Sequence, residues 1–124
     1  MKEAKNILLY CSLVLCSLVL VGCGKKADES KPVSEIKAEA EQMDVGELKA
    51  MAMKYKDAIL AKGPEIKKLA DQLKEIPVAK KLGPEAKEIT AEIEVLNKSV
   101  SALNERFAVY YDKLKEKGGD LSGL

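Results

Sequence analysis

The reactive side chains of this 124-residue chain are three cysteines, Cys11, Cys16 and Cys23, and a scatter of carboxylates in which Glu88, Glu92 and Glu94 stand close together. There is no histidine, so there is no Ser-His or Cys-His pair and no common base poised near neutral pH. The three glutamates share a helical stretch with Lys87 and Lys98, which gives solvated surface charge, not a pocket that raises a carboxyl pKa. Gly118-Gly119 follows a helical pattern and does not open one, so it is no phosphate cradle. Net charge is +1 and the basic residues lack interleaved aromatics, which argues against nucleic acid. These patterns point away from an enzyme, a metal site or a cofactor site. What remains is thiol chemistry. Cys11 and Cys16 lie inside an apolar run, where a thiol behaves as a small apolar group; Cys23 ends that run and begins a polar one.

The apolar run, Ile7 to Val21, follows Lys2 and Lys5. Its 15 residues fall short of the about 20 that a membrane-crossing helix needs. A charged start, a short apolar core and a small residue at the end describe a secretory signal peptide over residues 1–22. Its last residues and the next, Leu20-Val21-Gly22-Cys23, resemble the lipobox of bacterial lipoproteins. The resemblance covers residues 1–23 only. It implies diacylglycerol on the Cys23 thiol, cleavage between Gly22 and Cys23, and a further acyl group such as palmitate on the new amino terminus. Two or more chains make a stable membrane anchor, at about 0.8 kcal/mol per buried methylene. In the proteobacterial sorting pattern Gly24, where an Asp would retain the protein at the inner membrane, favours the outer membrane facing the periplasm. Cleavage would remove two lysines and one acid, leaving a mature chain of balanced charge with no free thiol.

Residues 23–43 are expected to be a lipidated cysteine and a flexible tether. Gly24 to Val33, GKKADESKPV, is too polar to bury a core. Lys25 and Lys26 would sit beside the lipid headgroups. Ser34 to Met43 has the pattern of a short helix, with Ser34 as N-cap and Ile36, Ala40 and Met43 on one face, ending near Asp44 to Gly46.

The body of the chain, residues 44–117, carries two apolar seams with a 3.5-residue rhythm. The first runs Leu48, Ala52, Tyr55, Ile59, Lys62, Ile66, Leu69, Leu73, Ile76. The second runs Leu82, Ala86, Ile89, Ile93, Leu96, Val100, Leu103, Phe107, Tyr110, Leu114. Asp44 and Glu47 form a capping-box start, Pro77 ends the first helix, and Pro84 with Glu85 suits the start of the second. Folding one seam onto the other pairs Ile76 with Leu82, Tyr55 with Leu103, Ala52 with Phe107 and Leu48 with Tyr110. The expected fold is all-α: an antiparallel two-helix coiled-coil hairpin about 45 Å long, after the signal helix and tether. Gly63-Pro64 interrupts the first helix; proline there kinks it, or breaks it to give three helices. Residues 118–124 are expected to be a disordered tail.

A two-helix hairpin leaves apolar residues wet. Met51, Met53 and Leu60 on the outer side of the first helix, and Val95 and Val109 on that of the second, are candidate partner-binding positions. So are Lys80 and Lys81 at the tip. The reading is a lipid-anchored envelope protein that acts as a helical scaffold or protein-interaction module, by self-association or with another protein. A chaperone-like carrier of apolar clients and an accessory or inhibitor subunit are the alternatives.

Overall fold

In the computed structural model the described residues are 26–124. The expected signal peptide over 1–22, its cleavage site at Gly22 and Cys23, and the lipid site lie outside them. Among the described residues there are three α-helices and no strand: α1, Val33–Gln42; α2, Val45–Glu75; and α3, Pro84–Glu116. A single 3-10 turn, Val78–Lys80, lies between α2 and α3. None of the helices is long and apolar enough to cross a membrane.

Helix α2 begins where Asp44 Oδ1 accepts from the Glu47 N–H at 2.8 Å and Glu47 Oε2 accepts from the Asp44 N–H at 3.0 Å, a complete capping box. It then runs unbroken for 31 residues, about 46 Å at 1.5 Å per residue. Pro64 lies inside it, so the helix carries a missing N–H in mid-course instead of splitting there. The in-phase seam on both sides of Gly63-Pro64 explains the continuity, because each half is already held against α3. The third helix of the fold is therefore α1, not a fragment of α2. Helix α3 starts with Gly83 as N-cap and Pro84 in its first turn. It closes with a Schellman motif: the Gly119 N–H donates to the Leu114 carbonyl at 2.9 Å, the Gly118 N–H donates to that of Lys115 at 3.1 Å, and Gly118 takes φ +71°.

The start of α2 lies beside the end of α3. A Cβ on Gly119 would meet the Val45 side chain at 2.8 Å and Leu114 closer still. Lys117 Nζ reaches back to the carbonyls of Glu41 at 3.1 Å and Met43 at 2.7 Å. Helix α1 has no basic residue in its last turn, so this ammonium from α3 supplies the positive charge that its C-terminal carbonyls favour.

Both seams point inward, but they are not equally covered. Leu48, Ala52, Tyr55, Leu103, Tyr110 and Leu114 are fully buried together with Ile36 and Ala40 of α1. Farther along, Ile59, Ile66, Leu69, Leu73, Ile89, Ile93, Leu96 and Val100 are only half-buried. At the turn Ile76 and Ala86 are buried again.

Four expectations are corrected. First, the short helix expected over Ser34 to Met43 is present as α1, but it starts at Val33 with Pro32, not Ser34, as its cap, and Ile36 and Ala40 at 0% exposure make it part of the core and not of the tether. Second, Leu82 does not pair with Ile76. It is 87% exposed, because the helix starts only at Pro84 and Leu82 stands outside it. Third, Met51 is buried at 6% exposure, since α1 and the chain before it cover that side of α2. Fourth, the tail is not loose: Leu121 and Leu124 pack on the core, and Asp120 pairs with Lys49 at 2.5 Å.

The close approach at Gly119 yields a prediction. Gly119→Ala must displace the buried Leu114 side chain and push aside the more exposed Val45, an overpacking cost of about 1–3 kcal/mol. Thermal unfolding followed by circular dichroism should show Tm lower by roughly 5–15 °C. An unchanged Tm would mean that the end of α3 does not rest on the start of α2.

Candidate functional site: a strap across the helix pair

The residues that precede α1 cross the flank of α2 and α3 as a strap. Tyr55 Oη donates to the Asp28 carbonyl and accepts from the Asp28 N–H, both at 3.1 Å, so one phenol satisfies both backbone groups of that residue. Arg106 Nε donates to the Lys31 carbonyl at 2.9 Å, while its Nη1 donates to the Ala102 carbonyl one turn back at 2.7 Å. Ser99 Oγ donates to the Glu29 carboxylate. Lys31 Nζ meets Glu39 Oε1 at 2.5 Å, which ties the strap to α1 and holds the Lys31 ammonium above its ordinary pKa.

Local chemistry shapes the strap before these contacts form. Asp28 Oδ1 accepts from the Ser30 N–H at 2.8 Å and from Ser30 Oγ at 2.6 Å, an Asx turn. Those bonds hold the Asp28 carboxyl below the usual carboxylate range. Pro32 then leads straight into α1, whose first turn bonds to the Pro32 carbonyl. The C-terminal residues use the same Asp-x-Ser device. Ser122 donates to Asp120 through its N–H at 2.9 Å and its hydroxyl at 2.5 Å, and Lys56 Nζ donates to the Gly123 carbonyl at 2.5 Å. Both ends of the described chain thus fasten onto α2.

Beneath the strap lies a groove of about 740 Å³, lined by Lys26, Met51, Tyr55, Lys62, Leu103 and Tyr110 among others. The rings of Tyr55 and Tyr110, assigned by the seam register to separate layers, meet with centroids 5.5 Å apart at a 32° tilt. Burial pushes the Tyr110 hydroxyl well above its ordinary pKa, with the neighbouring Tyr55 and Glu39 adding to it. It stays a neutral phenol and is no acid-base group at neutral pH. No group of His, Cys, Asp or Glu among the described residues could hold a metal ion.

The structure distributes the other candidate residues widely. Met53 and Leu60 are exposed at 43% and 61%, and Val95 at 65%, so three of the expected apolar positions are open to water. Val109 is half-buried and packs on the core in a groove shared with α1 residues Val33, Lys37 and Glu41. Lys80 and Lys81 are exposed at the turn, flanked by Val78 and Leu82 at 81% and 87%. Cys23 lies outside the described residues. Arg106 and Tyr55 carry the strap, and periodicity ranked neither as functional. Arg106 has a sequence signature nonetheless: it is the single arginine beside twenty lysines. A planar fork able to serve two carbonyls while 8% exposed is a task that lysine performs poorly.

Compared with models of known protein families, with curated proteins and with solved structures, the chain matches none of them.

Two predictions follow from these geometries. Tyr55→Phe removes both bonds to Asp28, a loss of about 1 kcal/mol each at most because the site is half open to water. Amide exchange should show protection at Asp28 falling by roughly tenfold or more, with α2 and α3 unaltered. The second concerns acid. The Lys49 ammonium, then the Ser122 hydroxyl and amide, hold the Asp120 carboxyl far below its usual range. A carboxyl with a lowered folded pKa contributes stability above its unfolded value, about 3.9, and loses it as pH falls through the folded one. Leu121 and Leu124 methyl signals should therefore stay native-like from pH 7 to about 4 and move toward random coil only below that. Release of the tail at pH 5 or 6 would contradict the assignment.

Proposed function

We propose that this protein is a lipid-anchored helical interaction module of a bacterial envelope. The reading joins two supports. The stretch Leu20-Val21-Gly22-Cys23 at the end of a short apolar core resembles a lipobox, and the body is built from long helices that share an incompletely covered seam. In this reading α2 and α3 form an antiparallel coiled-coil hairpin, the acyl chains on Cys23 hold it at a bilayer, and Gly24 favours the outer membrane with the body in the periplasm.

One observation carries the interaction role. The same 3.5-residue seam runs along both helices, yet it is closed only beneath α1 and at the turn, where Ile76 and Ala86 are buried. The distal part keeps eight aliphatic seam residues half-buried, and Leu60, 61% exposed, stands beside them. Apolar area left open costs free energy at about 25 cal/mol per Å², and a partner helix that covers it recovers that amount. The tip supports a second reading, an accessory subunit that inserts into a partner. Among the described residues Val78 and Leu82 are the two most exposed large apolar side chains, and Lys80 and Lys81 stand between them. The carrier reading is weakened because Met51, one of its three gripping residues, is buried.

The test has a lipid arm and a partner arm. Protein extracted from a bacterial envelope should begin at Cys23 and carry acyl mass, and Cys23→Ser should move it from the membrane fraction to the soluble fraction. A photo-crosslinking residue at Leu60 or Leu82 should capture a defined protein in the intact envelope. An unacylated mature product would remove the anchor. Silence at both crosslinking positions would remove the interaction role.

A further inference from the structure

The strap limits where a membrane can lie. On the lipid-anchor reading above, on which this inference rests, the acyl chains sit on Cys23, three residues before Lys26 and five before Asp28. Three Cα steps reach about 11 Å and five about 18 Å, against about 35 Å for a leash free up to Val33. Asp28 is held through both its backbone groups by Tyr55, and Glu29 and Lys31 are held by Ser99 and Arg106. The link to the bilayer is therefore short, and it leaves the body from its flank. Tyr55 lies ten residues into α2 and Ser99 fifteen residues into α3, so neither end of the 31- and 33-residue helices is the point of attachment.

We propose that the protein lies side-on, with the strap flank of α2 against the leaflet that takes up the acyl chains of Cys23. That flank holds Ala58, Ala61 and Lys62 along the strap groove, and Glu65, which also borders a second groove of about 820 Å³ farther along the pair. Across the second groove stands Val95, whose side chain is free to enter the headgroup zone. The two grooves are lined by four lysines and six acids, so the flank gives no pull toward anionic lipid and the contact is with a zwitterionic surface. The opposite flank of α2 carries Leu60, one turn beyond Lys56, whose ammonium is tied to the C-terminal residues. Side-on seating turns that flank, with Met53 and Leu60, away from the bilayer and leaves it to a protein partner.

Two neighbouring residues make the test. Ala61 borders the strap groove, and Leu60 is about 100° around the helix from it. The mature acylated chain has no other free thiol, so Ala61→Cys and Leu60→Cys each accept one fluorophore. Each labelled protein is placed in phosphatidylcholine vesicles that bear a headgroup-attached nitroxide quencher. Quenching at position 61 should exceed that at position 60 severalfold. Adding Tyr55→Phe with Arg106→Lys should erase the difference, while circular dichroism confirms that the helices remain. Equal quenching at the two positions in protein that floats with the vesicles and carries acyl mass would overturn the side-on seating alone. Protein that carries no acyl mass and does not float would overturn the anchor reading and this inference with it.

Discussion

Two amphipathic helices laid side by side cannot dry their shared seam, because each has a second edge that the other does not reach. Much of what is distinctive in this molecule is a response to that constraint. Over the first third of α2 the response is complete. Ile36 and Ala40 of α1 close one side at 0% exposure, Leu121 and Leu124 add cover from the C-terminal residues, and Tyr55 and Tyr110 fill the space between with their rings. Beyond Ile59 there is no third layer, and between Ile66 and Val100 the seam residues remain half-wet except at the turn, where Ile76 and Ala86 are buried. A small helical domain has little core to spare, so the closed third carries a disproportionate share of stability, and the distal arm depends on helix propensity and on its own turn.

That division shows why some elements are legible in the amino-acid sequence and others are not. Alternating steps of three and four report helix and facing side wherever packing is regular, so the seams of α2 and α3, the capping box at Asp44 and Glu47, and the Pro84 start can all be read directly. The same rhythm misleads where it crosses a boundary. Leu82 continues the seam in phase, yet Gly83-Pro84 resets the backbone and Leu82 points to solvent. Met51 lies one step off the seam, and periodicity has no means of knowing that α1 arrives on that side. The strap and tail are hidden for a different reason. Their composition is that of disordered chain, and order comes from a few directional bonds instead of buried area. Asp28-Glu29-Ser30 and Asp120-Leu121-Ser122 each make a local turn that composition averages away.

Charge is used in two distinct ways along the chain. Some lysines pair loosely with acids on exposed helix faces, as Lys98 does with Glu94 and Lys74 with Asp71, and such pairs contribute little. Lys117 and Arg106 act differently, since each donates to main-chain carbonyls from another element. Lys117 closes the end of α1, and Arg106 holds the residue just before it begins. Helix α1 is only ten residues long, too short to persist alone in water. It exists because α3 supplies its apolar bed, a cation at its C-terminal end and, through Arg106, a hydrogen bond that fixes the chain ahead of Pro32.

A short helix held in this way couples the front of the chain to the packing of the body. Strap, α1 and the closed third of the seam share Tyr55, Glu39 and Arg106, so loosening any one exposes the others to water. The distal arm shares none of these three and touches the strap only at its near edge, through Ser99 and Glu29. Opening of the distal seam, whether by thermal motion or by an arriving partner, therefore leaves the strap in place. A chain with this asymmetry can change its exposed arm while residues 28–31 keep their position, which is the mechanical requirement of the anchored module proposed above.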